Sequence, residues 1–259
     1  MKRYCLYLFI LIGISCSAEL KAQKNGTIYK GNDPAVRYTG RTLVSPDGSV
    51  AFDWVGTYLE TRFTGGKLSV KVSETGTSYY NVFVDGKLHK VVKVCGTDTL
   101  IHLVSGIDKR IHSLKIQKRS EGEFGKTTVH QFVLSGSGRL AEEPAVRTRH
   151  IEFIGNSLTC GYGTDGKHRD EPFLVETENC NLTFASMVAR YYDADYTLIA
   201  HSGRGAARNY GDSVRVSKVT MKDRMLNTFD EDLTHKWNFK EYRPDLVVIN
   251  LGSNDCTTA

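Results

Sequence analysis

The hydrophobic pattern of this 259-residue chain changes its period once, near Arg139, and that change limits the folds open to it. Before it, apolar and polar residues alternate. Lys67 to Val72 (KLSVKV) sets Leu68, Val70 and Val72 on one side, and Tyr80, Val82 and Val84 repeat the pattern ahead of Asp85-Gly86. A period of two belongs to a half-buried strand, and Asp-Gly tolerates the positive φ of a tight hairpin. Ile111 to Ile116 and Thr128 to Leu134 (TVHQFVL) continue it, with turn signals at Pro46-Asp-Gly48, Gly65-Gly66, Gly76 and Gly96. Many short strands without a helical stretch predict an all-β jelly-roll sandwich over residues 23–140.

A polar, proline-containing linker at 141–149 separates this half from the second pattern. There the apolar runs are continuous: Ile151 to Ile154, Tyr196 to Ala200 (YTLIA) and Leu246 to Leu251 (LVVINL). A helix is expected over Leu182 to Tyr192, and the long polar stretch up to Tyr242 also reads as helical. Apolar strands alternating with helices indicate a parallel sheet covered on both faces. No internal repeat or low-complexity tract is present.

The N-terminus has the grammar of a secretory signal peptide at 1–22. A basic Met1-Lys-Arg-Tyr precedes the apolar run Cys5 to Ile14, and small residues follow. That run falls short of the ~20 apolar residues a membrane span needs. Cleavage after Ala22 predicts export to the periplasm, the outer membrane or the medium. Membrane attachment would come only through a lipidated Cys16, to which Gly13 is a poor match. Removing residues 1–22 lowers the net charge from +5 to +3, too mild for a nucleic-acid partner. Cys95, Cys160, Cys180 and Cys256 remain without CxxC spacing, which argues against a structural metal site. Cys160–Cys180 is the first disulfide to test in an exported protein, with free buried thiols the equal alternative.

Each strand of the second half ends in a chemically pointed segment: Gly155-Asn-Ser157, His201-Ser-Gly-Arg-Gly205 and Gly252-Ser-Asn254-Asp255. Ligands of open α/β sheets bind beyond the carboxyl ends of the strands, so neighbouring strands would bring all three together. The set suits acyl transfer. A serine hydroxyl attacking an ester creates an oxyanion that preorganised N–H donors stabilise. The Ser157 N–H, a glycine N–H after the second strand and the Asn254 amide are the expected donors. Any one segment alone is a common turn; the three in order are far more specific. Asp255 is expected to hold its turn, His201 to be a structural histidine, and Tyr162 either to line a sugar site or to pack the turn. Lys167 to Asp170 reads as a solvated loop.

These segments resemble blocks one, two and three of the SGNH (GDSL-like) hydrolase superfamily. More narrowly, the chain is similar to carbohydrate esterase family two over residues from about Tyr38 to Asp255. The similarity rests on Tyr38-Thr-Gly-Arg41, Trp54-Val-Gly56, Phe63-Thr-Gly65, His112 to Arg119 (HSLKIQKR) with Glu121 following, and His150 to Gly163 (HIEFIGNSLTCGYG). It implies a jelly roll followed by an α/β/α flavodoxin-like SGNH domain at 150–259. It also implies a metal- and cofactor-independent serine esterase that deacetylates polysaccharides such as xylan or glucomannan. Ser157 would be the nucleophile and Asn254 an oxyanion donor. Spacing favours Gly205 as the glycine donor, with Gly203 the alternative. The family usually has aspartate before the serine, where this chain has Asn156.

A serine needs a base, and the resemblance implies a histidine near the C-terminus, often in Asp-x-x-His. No histidine follows His235 and no Asp-x-x-His follows the third block. The SGNH part is therefore expected to be only its N-terminal portion, from a truncated reading frame, with little turnover and poor solubility. The competing expectation is a true endpoint: a non-catalytic carbohydrate-binding sandwich carrying a decayed hydrolase.

Overall fold

The computed structural model describes residues 26–142 and 145–257. The expected signal peptide and Cys16 lie outside them. The first half comprises β1 (Thr27–Lys30), β2 (Val36–Thr39), β3 (Leu43–Val44), β4 (Val50–Phe52), β5 (Tyr58–Val84), β6 (Lys87–Lys118), β7 (Thr127–Ser135) and β8 (Arg139–Leu140). The second comprises β9 (His150–Gly155), α1 (Ser157–Cys160), α2 (Phe184–Tyr191), β10 (Asp195–Ala200), α3 (Met221–Arg224) and β11 (Leu246–Ile249).

The first half is one eight-stranded sheet of antiparallel pairs, with the path β2-β5-β7-β4-β3 and β1, β6 and β8 attached to it. The expected run of short strands is partly replaced by two long ones, β5 of 27 residues and β6 of 32. At roughly 3.3 Å per residue neither could stay straight inside a small domain. Register shifts at Thr64/Gly66, Gly66/Leu68 and Glu74/Thr77 mark where β5 bends. Gly65-Gly66 and Gly76 thus act as corners within a strand, where sequence alone reads them as chain reversals. The bent sheet closes on an apolar core that includes Phe52, Phe63, Leu68, Val82, Leu114, Phe132 and Leu134.

The second half is a parallel sheet of order β10-β9-β11. Its second strand lies on one side of the first and its third on the other, so the winding reverses at β9. Such a reversal is where open α/β sheets bind ligands. Alternation along the strands separates two faces. Phe153, Tyr196 and Leu198 pack with Ala185 and Ala189 of α2, while Ile154 and Ile199 pack with Trp54 and Met221. The polar stretch after β10 is not the expected long helix. Among the described residues it holds one helical turn, α3, between loops that close on their own side chains: Asn209 accepts from the Gly205 N–H, and Thr220 with Asp223 forms a capping box. Asp, Asn, Ser and Thr compete with the helix for backbone groups in this way.

The halves meet along β10. A Cβ on Gly56, whose φ is +75°, would lie 2.6 Å from Leu198 Cδ1, so a side chain there would push the sheet away. Around that contact Tyr58 Oη donates to Asp195 (2.6 Å), Gln117 Nε2 donates to Tyr196 Oη (2.6 Å), and Arg41 donates to the carbonyls of Met225 (2.6 Å) and Asn227 (2.8 Å). No helix among the described residues is long and apolar enough to cross a membrane.

Candidate active site

The strand register decides the geometry of the site. Gly155 pairs with Ala200, and the Asn250 N–H donates to the Ile154 carbonyl at 2.8 Å, so the three strands run out at one level. The three pointed segments therefore emerge side by side, and side chains tie them together. Asn156 Nδ2 donates to Ser253 Oγ (2.9 Å), joining the first segment to the third. Asn254 Nδ2 donates to the Arg204 carbonyl (2.8 Å), joining the third to the second.

Ser157 is the first residue of α1, with Asn156 as its N-cap; the Asn156 side chain accepts the Leu158 N–H at 3.2 Å. An asparagine serves here because one end of its amide accepts for the cap while the other donates to Ser253, which a carboxylate cannot do. Four residues on, Gly161 in the left-handed region ends the turn. Ser157 is half-buried and Asn254 buried. The Ser157 N–H is engaged by no described residue, and one Asn254 amide hydrogen is still free for an oxyanion.

The two glycines differ. Gly205 is buried, its N–H donates to Asn209 Oδ1 (3.3 Å), and a Cβ there would strike the Arg208 carbonyl and Asp255. Gly205 is thus a packing glycine with an engaged donor, against the spacing-based preference. Gly203 is half-buried at φ +73°, and no described residue accepts its N–H.

Asp255 holds more than its own turn. It accepts the N–H groups of Ala206 (2.9 Å), Ala207 (2.6 Å) and Arg208 (2.9 Å), fixing the loop behind the second segment. Burial would raise its pKa, but the three N–H donors outweigh that and the net shift is downward. His201 is a structural histidine in this geometry. Its Nδ1 bonds Asp230 at 2.7 Å, its Nε2 lies 3.6 Å from Glu123, and Arg224 donates to Asp230 at 2.9 Å. Burial lowers the imidazole pKa, Asp230 more than restores it, and the result lies above the ordinary value. Cys160 and Cys180 are free, buried thiols.

Other buried groups beside the segments carry little signal in the sequence. Glu121, from the sheet half, accepts the Ser202 N–H at 2.6 Å and the Cys160 thiol at 3.5 Å. Glu178 accepts the Glu121 N–H at 2.9 Å. Asp53 accepts the N–H groups of Asp230 (2.8 Å) and Glu231 (3.2 Å); burial and the Asp230 charge raise its pKa to about 7. A break from alternation to Lys118-Arg-Ser-Glu121 at the end of β6 hints at the first. Glu178 and Asp230 stand among other polar residues, with nothing to mark them as buried.

Tyr162, whose N–H donates to the Ser157 carbonyl (3.1 Å), belongs to an aromatic ladder at a cleft of about 290 Å³ lined by Tyr162, His168, Arg169, Glu171 and Phe173. Tyr162 stacks on Phe173 with centroids 3.7 Å apart, and Phe173 on Phe124 of the sheet half at 5.7 Å. The Lys167 to Asp170 loop is exposed, as expected.

Comparison with known proteins places this arrangement. Residues 38–144 match the family model "Carbohydrate esterase 2 N-terminal", and residues 151–259 match "GDSL-like Lipase/Acylhydrolase". The cellulase/esterase CelE of Acetivibrio thermocellus is 34% identical over 228 residues, covering 88% of this chain and 27% of that protein. An acetylxylan esterase/glucomannan deacetylase of Cellvibrio japonicus is 33% identical over 227 residues, covering 85% of this chain. The chain spans 61% of that relative's length. An active-site mutant of a family two carbohydrate esterase from Clostridium thermocellum superposes with a TM-score of 0.81 at 34% identity, over 87% of this chain and 68% of that one. A second structure of a family two esterase from that organism, with cellohexaose bound, gives 0.81 over 86% and 67%. With both halves matched in order and a solved family two esterase 34% identical over 68% of its length, the chain belongs to carbohydrate esterase family two.

Proposed function

We propose that this protein is an exported serine esterase that removes acetyl groups from plant polysaccharides such as xylan or glucomannan. The carrying observation is the level register of β9, β10 and β11, which sets Ser157, the Ser202–Gly203 turn and Asn254 at one edge. In this reading Ser157 Oγ attacks the acetyl carbonyl, and the oxyanion is held by the Ser157 N–H, the Gly203 N–H and the Asn254 amide. Gly203 is preferred to Gly205 because the Gly205 N–H is already spent on Asn209. The Tyr162–Phe173 ladder offers a flat apolar face for a sugar ring next to the nucleophile. No metal or other cofactor enters this chemistry.

The proton of Ser157 must go to a base. Both ring nitrogens of His201 face carboxylates, so His201 is not assigned that role. No base is assigned among the described residues, so acetate release from 4-nitrophenyl acetate and acetylated glucomannan is measured with and without added imidazole, which is expected to accelerate it as an external base. Acetate release should depend on Ser157 under both conditions. A Ser157→Ala protein releasing acetate at the wild-type rate, with and without imidazole, would overturn the esterase reading. The second reading, a non-catalytic carbohydrate-binding protein, is favoured by the cellohexaose bound to a relative. Cello-oligosaccharide binding by Ser157→Ala, with no acetate release by wild type in either condition, would select it.

A further inference from the structure

Glu121 and Glu178 are both fully buried, and one carboxylate oxygen from each lies within 4.8 Å of the other and of Cys160 Sγ. Their remaining oxygens, Glu121 Oε1 and Glu178 Oε1, are buried and find no hydrogen-bond partner among the described residues. Two buried acceptors without partners are costly, and two bare carboxylates so close together would be worse. The Glu121 N–H donates to Glu178 Oε2 (2.9 Å), so the two carboxyls are already tied on one side. A proton held on one of them would give the unpartnered oxygen of the other a donor.

The remaining oxygen of Glu121 is the one that matters for the site. Its Oε2 accepts the Ser202 N–H at 2.6 Å, one peptide before Gly203. We propose that Glu121 is a positioning residue contributed by the sheet half: sharing one proton with Glu178, it pins the Ser202–Gly203 turn and so aims the Gly203 N–H at the oxyanion. This deepens the esterase reading and rests on it for the role of Gly203. The anchoring of Ser202 does not.

Charged and titratable groups surround the pair from every packed element. Lys118 at the end of β6 and Arg119 just after it approach the pair, but Lys118 Nζ donates to Ser78 (2.6 Å) and Arg119 Nε to the Glu178 carbonyl (2.7 Å), not to either carboxyl. Glu123 comes from the sheet half, Cys160 from α1, Cys180 from the segment before α2, and His201 with Asp230 from the loop after β10. Burial first, and the Glu121 charge second, raise the Glu178 pKa to about 10. The folded state therefore keeps a proton that the unfolded chain releases near 4.5. This part of the stability is complete below pH 4.5 and is lost as pH rises toward 10.

The test uses the full chain and needs no turnover. Hydrogen exchange at Ser202 and the melting temperature at pH 6 and pH 9 are measured for wild type, Glu121→Gln and Glu121→Ala, with metal content by mass spectrometry. A glutamine keeps an oxygen for the Ser202 N–H and donates a non-titrating hydrogen to Glu178. Glu121→Gln should therefore hold Ser202 exchange within about threefold of wild type and lose less stability between pH 6 and 9. Glu121→Ala should speed Ser202 exchange at least tenfold. Wild-type exchange in Glu121→Ala, an unchanged pH slope in Glu121→Gln, or one bound metal ion per chain would each overturn the proposal. If Glu121→Ala does not fold, the slope of Glu121→Gln decides. Failure of Ser157-dependent acetate release, with the exchange results as expected, would remove only the link to the oxyanion.

Discussion

The core of the sheet half and the part of the seam that holds Ser202 and the Asp230 loop are both closed to water, yet they are built from opposite materials. Phe63, Leu68, Val82 and Phe132 fill the first without a polar atom among their side chains, whereas Arg119, Glu121, Glu178, His201 and Asp230 make up the second, each 2% exposed or less. Apolar burial stabilises without fixing any direction, while a buried polar group holds only where its partner lies within hydrogen-bond reach. The seam is where backbone must be aimed: Glu121 on Ser202, Asp53 on Asp230, Arg119 on the carbonyls of Glu178 and Glu176. The difference teaches that the sheet half is part of the site's frame and not a detachable platform.

Two truncations should separate the regions most sharply. Phe132→Ala opens a cavity worth about 3–5 kcal/mol. Arg119→Ala takes the donor from the buried Glu178 carbonyl and from the Glu176 carbonyl, about 3 kcal/mol in all. Melting temperatures should fall by roughly 10 °C or more in both. Hydrogen exchange should tell them apart: Phe132→Ala loosens β5 and β7, Arg119→Ala loosens residues 176–181 first. Identical exchange maps would abolish the contrast.

A smaller effect is expected at low pH. Burial would raise the Asp195 pKa, but hydrogen bonds from Arg37 and Tyr58, with Arg147, hold it at about 2. Its contribution is present above about 4 and is lost as pH falls through 2. Asp195→Asn should flatten the acid limb of a pH–melting curve between 4 and 2, and an unchanged limb would remove Asp195 from the seam's account. The smallest change is Gly203→Ala. No described atom lies closer than 4.0 Å to the added methyl, so the cost is that of φ +73° for an alanine, roughly 1 kcal/mol. Circular dichroism melts should register little. A loss of Ser157-dependent acetate release out of proportion to that would support Gly203 as the donor.

The strands were legible because their periodicity is written locally: Tyr196 to Ala200 and Leu246 to Leu251 fall within a residue or two of β10 and β11. The site segments were legible for a related reason, since Gly155-Asn-Ser157 and Gly252 to Asp255 stand where an apolar run stops. What stayed hidden depends on distance in sequence. Gly65-Gly66 reads equally well as a reversal or a corner until the partner strand is known. Gly203 and Gly205 are both spaced acceptably, and only the position of Asn209 distinguishes them. The stretch after β10 looked helical from its polarity, but Asn209, Asp212 and Asp223 satisfy backbone and side-chain groups locally and keep it in loops.

The ladder beside Ser157 takes Tyr162 and Phe173 from one half and Phe124 from the other. Neither half can inherit it whole. Replacing the sheet half of this chain would take Phe124 away and leave Tyr162 and Phe173 behind, so the fit between the halves and the footing of the stack change together.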